Sequence, residues 1–328
     1  MMPRTASAEP LRSLTSPRPS VLASPSLSSS GTAHHPARSA LRAMRLHQWA
    51  KNALVALPAA LAHRIGEADV WMAVVTAIVS LGLVASGTYV VNDLLDRERD
   101  ARHPTKRHRP FASGALSPGF GWVFGPALVG VGFALAWVLL PPLFVGALAV
   151  YLVTTLAYSF ALKRLVLVDV VVLAGLYALR VLAGGAATGI AVSEWLLAFS
   201  LFFFLGLALM KRYAELRILE KEVSARDNGR GYTVEDAAML RALGPAAGFM
   251  AVLVFALYVT SPDVAALYAR PDLLWLAAPL LAYWTMRMWM LAHRGTMTDE
   301  PVAYAIRDRA SYVVVALTAG VLVLASIG

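Results

Sequence analysis

The strongest constraint in this sequence is a series of apolar runs, each near the length that crosses a lipid bilayer. They cover roughly residues 46–62, 71–91, 118–140, 143–162, 166–187, 195–210, 237–259, 272–291 and 304–327. A spanning α-helix needs ~20 such residues. The first and sixth runs are shorter, and the last carries Arg307, Asp308 and Arg309 near its start. The pattern predicts an all-α integral membrane protein with about nine transmembrane helices. Composition agrees: 58% of the chain is hydrophobic and 15% charged, and the mean hydropathy is +0.62. A soluble domain lies closer to half apolar and a quarter charged.

The net charge of +9 does not point to nucleic acid once the bases are located. With the N-terminus in the cytoplasm, the inner loops are 92–117, 163–165, 211–236 and 292–303. They hold Arg97, Arg99, Arg102, Lys106, Arg107, Arg109, Lys163, Arg164, Lys211, Arg212, Arg217, Lys221, Arg226, Arg230 and Arg294. The outer loops hold only Arg64 and Arg270. This bias predicts a multi-pass protein of the cell (inner) membrane with its polar loops in the cytoplasm. Residues 1–40 are rich in Ser, Pro and Ala and read as a disordered cytoplasmic tail ahead of a domain over 41–328. The absence of cysteine excludes disulfides, thiolate catalysis and cysteine–zinc sites.

One loop carries the densest chemistry. If the second helix continues past Val91, Asp93, Asp96 and Asp100 fall at i, i+3 and i+7, on one face, with Asn92 at its edge. Clustered carboxylates repel unless a cation lies among them. Oxygen-only ligands suit Mg²⁺, which fills its octahedron with water and substrate phosphate. Lys106, Arg107 and Arg109 follow at once and suit phosphate oxygens. Acids for a metal and bases for phosphate predict a diphosphate site in a cytoplasm-facing pocket. The plainer alternative is a solvated loop with incidental acids.

Other polar groups face the same side. Lys211 and Glu215 form an i, i+4 pair at the end of the sixth helix, with Arg212 one position round. They are either a juxtamembrane basic end or a second phosphate or metal wall. Tyr158 and Lys163 end the fourth helix, and Lys163 also fits a simple membrane anchor. Arg180 lies deep in the fifth run, where an arginine costs at least ~2.5 kcal/mol unless it faces a partner in the bundle. Tyr177, one turn earlier, shares its face. Asp299 reads as the N-cap of a helix opened by Pro301.

These residues resemble the UbiA prenyltransferase superfamily, over nearly all of 41–328. The resemblance rests on the nine-helix layout and on Asn92-Asp93-x-x-Asp96-x-x-x-Asp100. Longer strings are similar to the branch containing decaprenyl-phosphate phosphoribosyltransferase. They are Arg45-x-x-Gln48-Trp49-x-Lys51-Asn52, His103-Pro104-Thr105-Lys106-Arg107-x-Arg109-Pro110, Lys211-Arg212-Tyr213-Ala214-Glu215-Leu216 and Arg307-Asp308-Arg309. The resemblance implies that Mg²⁺ and basic groups hold a diphosphate while its carbon–oxygen bond breaks and a nucleophile captures the carbon. It implies a metal at Asp93, Asp96 and Asp100, which are also the expected catalytic residues. The expected substrate contacts are Asn92, Lys51, Asn52, Lys106, Arg107, Arg109, Tyr158, Lys163, Arg180, Lys211, Arg212 and Glu215.

Ordinary members carry a second Asp-x-x-x-Asp motif where this chain has Lys211-Arg212-x-x-Glu215. They carry Tyr-x-x-x-Lys where Tyr158 and Lys163 stand one residue further apart. Both departures lean toward phosphoribosyl transfer from phosphoribosyl diphosphate to a polyprenyl phosphate, for cell-envelope (cell wall) sugar synthesis. The alternative is prenyl transfer from a prenyl diphosphate to an aromatic acceptor of quinone or haem type. A transporter fits less well, because the acids cluster at the rim and not the midplane. The expected partners are the bilayer and these substrates. A separate phosphatase is also expected, because related membrane domains are often fused behind one and the forty-residue tail is too short to be one. A homo-oligomer is compatible with the sequence.

Overall fold

A computed structural model describes residues 36–102, 106–221, 231–297 and 300–327. The proposed tail falls almost wholly outside them, as do His103 to Thr105 and Asp299. Every regular element among the described residues is helical. An N-terminal helix α1 (Pro36–Met44) leads into a 3₁₀ segment (Leu46–Ala56) and a short α2 (Leu57–Leu61). The long helices are α3 (Ala68–Leu95), α5 (Pro118–Leu139), α6 (Pro142–Phe160), α7 (Val168–Thr188), α8 (Glu194–Lys221), α9 (Ala237–Val259), α11 (Ala277–His293) and α13 (Arg309–Ser326). Short helices α4 (Arg97–Ala101), α10 (Pro262–Leu267) and α12 (Pro301–Ala305) sit in the connections.

Seven of these helices are long and apolar enough to cross a membrane: α3, α5, α6, α7, α8, α9 and α13. The first and eighth expected runs are different. The first is mostly 3₁₀, and the eighth opens with a 3₁₀ turn, Pro271–Leu276, before the 17 residues of α11. The sixth run continues well past residue 210. Its extension, Lys211 to Lys221, is rich in Leu, Ala, Glu, Lys and Arg and contains neither Gly nor Pro, so nothing stops the helix. The last run breaks: α13 begins at Arg309, with Asp308 as its N-cap accepting from the Ser311 amide at 2.8 Å.

Two apolar cores meet at α7. One joins the 3₁₀ segment, α3, α6 and α7 around Leu81, Phe144, Leu148 and Ala183. The other joins α7, α8, α9 and α11 around Met210, Leu240, Met288 and Trp289. Small residues permit the tightest approaches, as expected where lipid-like surroundings give helices no hydrophobic reason to associate. A Cβ on Gly184 would lie 2.1 Å from the carbonyl oxygen of Val55, and one on Gly244 would lie 1.9 Å from the Trp289 ring. The Gly184 contact presses the 3₁₀ segment onto α7 and so carries Lys51 and Asn52 into the bundle. Val123, Val131, Trp137, Val138, Leu143 and Val153 remain exposed on α5 and α6, a surface suited to lipid.

Gly184→Ala must move backbone and should destabilise the protein by about 1–3 kcal/mol. Gly130→Ala, whose Cβ meets nothing within 4 Å, should be neutral or slightly stabilising. Thermal unfolding of the two variants in detergent checks the pair; equal midpoints would contradict the packing.

Candidate active site

The polar side chains gather at one end of the bundle. α3 runs on to Leu95, the chain turns at Asp96 (φ −89°, ψ 3°), and α4 carries it to Ala101. The near-continuous helix keeps Asp93 and Asp100 on a common inner side, 2% and 3% exposed. Arg109 bridges them, with its Nη1 3.2 Å from Asp93 Oδ1 and 2.6 Å from Asp100 Oδ2. Arg45 adds a second cation on Asp93, Nη2 to Oδ1 at 2.6 Å, and its guanidinium stands 5.2 Å from the Tyr89 ring. Arg45 adopts a left-handed backbone (φ 52°, ψ 49°) between α1 and the 3₁₀ segment, a conformation that costs a non-glycine residue energy.

Asp96 is set apart from that bridge. It is part-exposed, 3.5 Å from Arg99 and 4.0 Å from Lys163 Nζ. The three carboxylates therefore lie on one segment without converging, and among the described residues no three acidic or histidine side chains are placed to hold a metal ion. Their chemistry still suits a hard cation, since every donor is oxygen. Asn92 donates to Ser159 Oγ at 2.9 Å, tying α3 to α6. Lys106 and Arg107 are exposed on a 3₁₀ turn, Lys106–His108, beside Arg109.

A second cluster joins distant parts of the chain. Glu300 accepts from Lys51 Nζ through Oε2 at 2.5 Å and from Lys211 Nζ through Oε1. Lys51 Nζ also lies 5.9 Å from the Tyr177 ring. Burial opposes ionisation of Glu300, but the two ammoniums outweigh it and hold its carboxyl well below the usual range. The expected Lys211–Glu215 pair is therefore replaced: Lys211 goes to Glu300, and Glu215 pairs with Arg212.

Arg212 is enclosed, with its side chain 1% exposed, and each of its nitrogens is engaged. Nε donates to Asp169 Oδ2 at 2.5 Å, Nη1 to Glu215, and Nη2 to Tyr158 Oη at 3.0 Å. Asp169, fully buried at the start of α7, also accepts from Tyr232 Oη at 2.5 Å. Arg212 is thus a bundle tie and not an open phosphate wall, and Tyr158 serves it. Arg180 is equally satisfied: its partners are Asn52 Oδ1 at 3.2 Å, the Leu176 carbonyl at 2.6 Å and Tyr151 Oη at 3.0 Å, with the Tyr177 ring 5.4 Å away. It locks the 3₁₀ segment to α6 and α7. Asp308 is accounted for by its cap and by a two-pronged pair with Arg287 at 2.7 and 3.0 Å.

The sequence motifs include Arg45 without giving it a place at the site, and neither Glu300 nor Asp169 stands out among them. Asp169 follows only five residues after Arg164, in an apolar helix where a lone carboxylate needs a cation; that was the available signal. Arg45 and Glu300 had none, because their partners lie 48 and 249 residues away.

Breaking the Arg212–Asp169 pair leaves a buried charge uncompensated, so Arg212→Ala should cost about 3–5 kcal/mol. Arg212→Met combined with Asp169→Leu removes both charges and should regain much of that loss. Yield and thermal midpoint in detergent read both; a single variant as stable as the parent would contradict the tie.

Comparison with known proteins shows the family. The UbiA prenyltransferase family profile matches residues 52–308. The uncharacterized protein y4nM of Sinorhizobium fredii is 35% identical over 292 residues; the match covers 89% of this chain but only 56% of that protein. Nodulation protein NoeC of Azorhizobium caulinodans is 36% identical, covering 83% of this chain and 88% of NoeC. Decaprenyl-phosphate phosphoribosyltransferase of Mycobacterium tuberculosis is 34% identical, covering 82% of this chain and 88% of the enzyme. A solved UbiA homolog from Archaeoglobus fulgidus, bound to DMAPP and Mg²⁺, shares the fold with a TM-score of 0.62 at 16% identity, covering 87% of this chain and 99% of its own. Helical architecture, apolar spans and a family match across most of its length together make this chain a member of the UbiA prenyltransferase family.

Proposed function

We propose that this protein is a Mg²⁺-dependent membrane transferase that moves a phosphoribosyl group from phosphoribosyl diphosphate to a polyprenyl phosphate, releasing diphosphate. The observation that carries the reading is the concentration of bases around the acidic segment and beyond it. Arg45, Arg109 and Lys163 stand against Asp93, Asp96 and Asp100, and Lys51 and Lys211 form a separate basic pair. A donor with phosphate at both ends of a sugar gives each group a partner. The similarity to decaprenyl-phosphate phosphoribosyltransferase over 88% of that enzyme supports the same choice.

In this reading Asp93, Asp96 and Asp100, with Asn92 beside them, would hold Mg²⁺, which when bound would supply positive charge against a leaving diphosphate. Arg45 and Arg109 orient that diphosphate by charge-assisted hydrogen bonds, and exposed Lys106 and Arg107 guide it in. The bond between the sugar's anomeric carbon and the diphosphate oxygen breaks, the electron pair leaves with diphosphate, and a phosphate oxygen of the lipid bonds to the carbon. In the same reading the cluster faces the cytoplasm of an inner membrane, an orientation that the positive-inside pattern of the loops supports.

Labelled phosphoribosyl diphosphate should transfer to polyprenyl phosphate, whereas labelled prenyl diphosphate should not transfer to an aromatic acid; the opposite result would make aromatic prenylation the function. Asp93→Asn and Asp96→Asn should abolish turnover while membrane insertion persists, and EDTA should silence the wild type. Full activity in EDTA would remove the metal from the account. The chain has no cysteine, so single cysteines at Arg107 and Asp272 can report topology. They should label from the cytoplasmic and outer faces respectively; labelling of position 107 from outside would invert the site.

A further inference from the structure

The Lys51–Glu300–Lys211 triplet lies apart from the acid–arginine pairs, and its own geometry assigns it a role. We propose that Glu300 is a positioning residue that holds Lys51 and Lys211 together as a receptor for a phosphomonoester. The group it receives is either the 5-phosphate of the sugar donor or the phosphate of the lipid acceptor. The proposal rests on the phosphoribosyl reading above and adds to it the residue that assembles this second anion site.

The three residues come from three separate places: the 3₁₀ segment, α8 and the connection before α12. Each Glu300 oxygen takes one ammonium. Two ammoniums brought together without an anion repel, and one of them turns away or loses its proton. Glu300 removes that penalty and leaves the triplet with a net charge of one positive. An ammonium has three N–H donors; Glu300 engages one on each lysine, and the Tyr177 hydroxyl is a further partner of Lys51. A buried ion triplet adds little net stability, because desolvation offsets the attraction. Apolar contacts would join these elements as well, but they cannot keep two ammoniums side by side. Access separates this triplet from the Arg212 tie. The side chains of Lys51, Lys211 and Glu300 are 14%, 22% and 30% exposed, whereas those of Arg212 and Asp169 are 1% and 0% exposed. The first cluster is partly open to solvent and the second is closed.

The test uses purified full-length protein, with KM and kcat measured separately for phosphoribosyl diphosphate and for polyprenyl phosphate. Glu300→Gln keeps the shape and removes the charge. It should raise KM for one of the two substrates by about ten- to a hundredfold, the loss of one charged hydrogen bond, with kcat changed by less than about threefold. The substrate whose KM rises identifies the phosphate bound. Glu300→Asp, which keeps the charge on a shorter arm, should restore part of the loss. If Glu300→Gln does not fold, Lys211→Met should show the same selective rise. Unchanged KM for both substrates overturns the proposal. So does a fall in KM, which would make Glu300 a competitor of phosphate, or a loss of kcat for both substrates together with a lower thermal midpoint, which would make it a structural tie. A wild type that ignores phosphoribosyl diphosphate and consumes prenyl diphosphate overturns the phosphoribosyl reading itself, and that shows before any substitution is made.

Discussion

Charge inside a bundle of apolar helices is stable only when it is paired, and pairing organises one end of this protein. Isolated, the arginine at position 180 or the carboxylate at 169 would cost several kcal/mol. Here Arg180 meets Asn52 and Tyr151, Asp169 meets Arg212 and Tyr232, Asp93 meets Arg45 and Arg109, and Glu300 meets two lysines. Each pairing joins segments far apart in sequence, so the same contacts that satisfy the charges fix how the 3₁₀ segment, α3, α7 and α8 come together.

The pairs divide by exposure into two kinds of work. Arg212, Asp169 and Arg180 are enclosed and serve the bundle. Asp96, Arg109, Lys51, Lys211 and Glu300 remain part-exposed, and these are the groups we propose a charged substrate meets. A basic side chain in a polar family motif is therefore not automatically a substrate ligand. Arg212 and its neighbour Lys211 sit one position apart on α8, and the helix turns one into the bundle and the other toward Glu300.

The helices were legible in the sequence because apolar length is a local property. The runs 118–140, 143–162 and 237–259 lie close to the helices that end at Leu139, Phe160 and Val259. The errors came at polar ends, where hydropathy stops reporting and helix propensity takes over, as beyond residue 210 in α8, or where a cap intervenes, as at Asp308. The acidic segment was legible for the same local reason: three aspartates within eight residues stand out. Its partners were not. Arg45 reaches Asp93 only because the chain adopts a left-handed turn there, and Glu300 reaches Lys51 across almost the whole chain. Spacing suggested Lys211 with Glu215, but Lys211 meets Glu300 across the fold and Glu215 turns to Arg212 one turn back on α8.

In the function we propose, the acid–base pairs at this end would seat a metal-bound diphosphate, with the arginines passing from carboxylate to substrate. The most direct measurement is a structure of the protein with Mg²⁺ and phosphoribosyl diphosphate bound. The account predicts the metal among Asp93, Asp96 and Asp100, and the diphosphate against Arg45 and Arg109. A ligand bound elsewhere, with Arg109 still bridging Asp93 and Asp100, would contradict it.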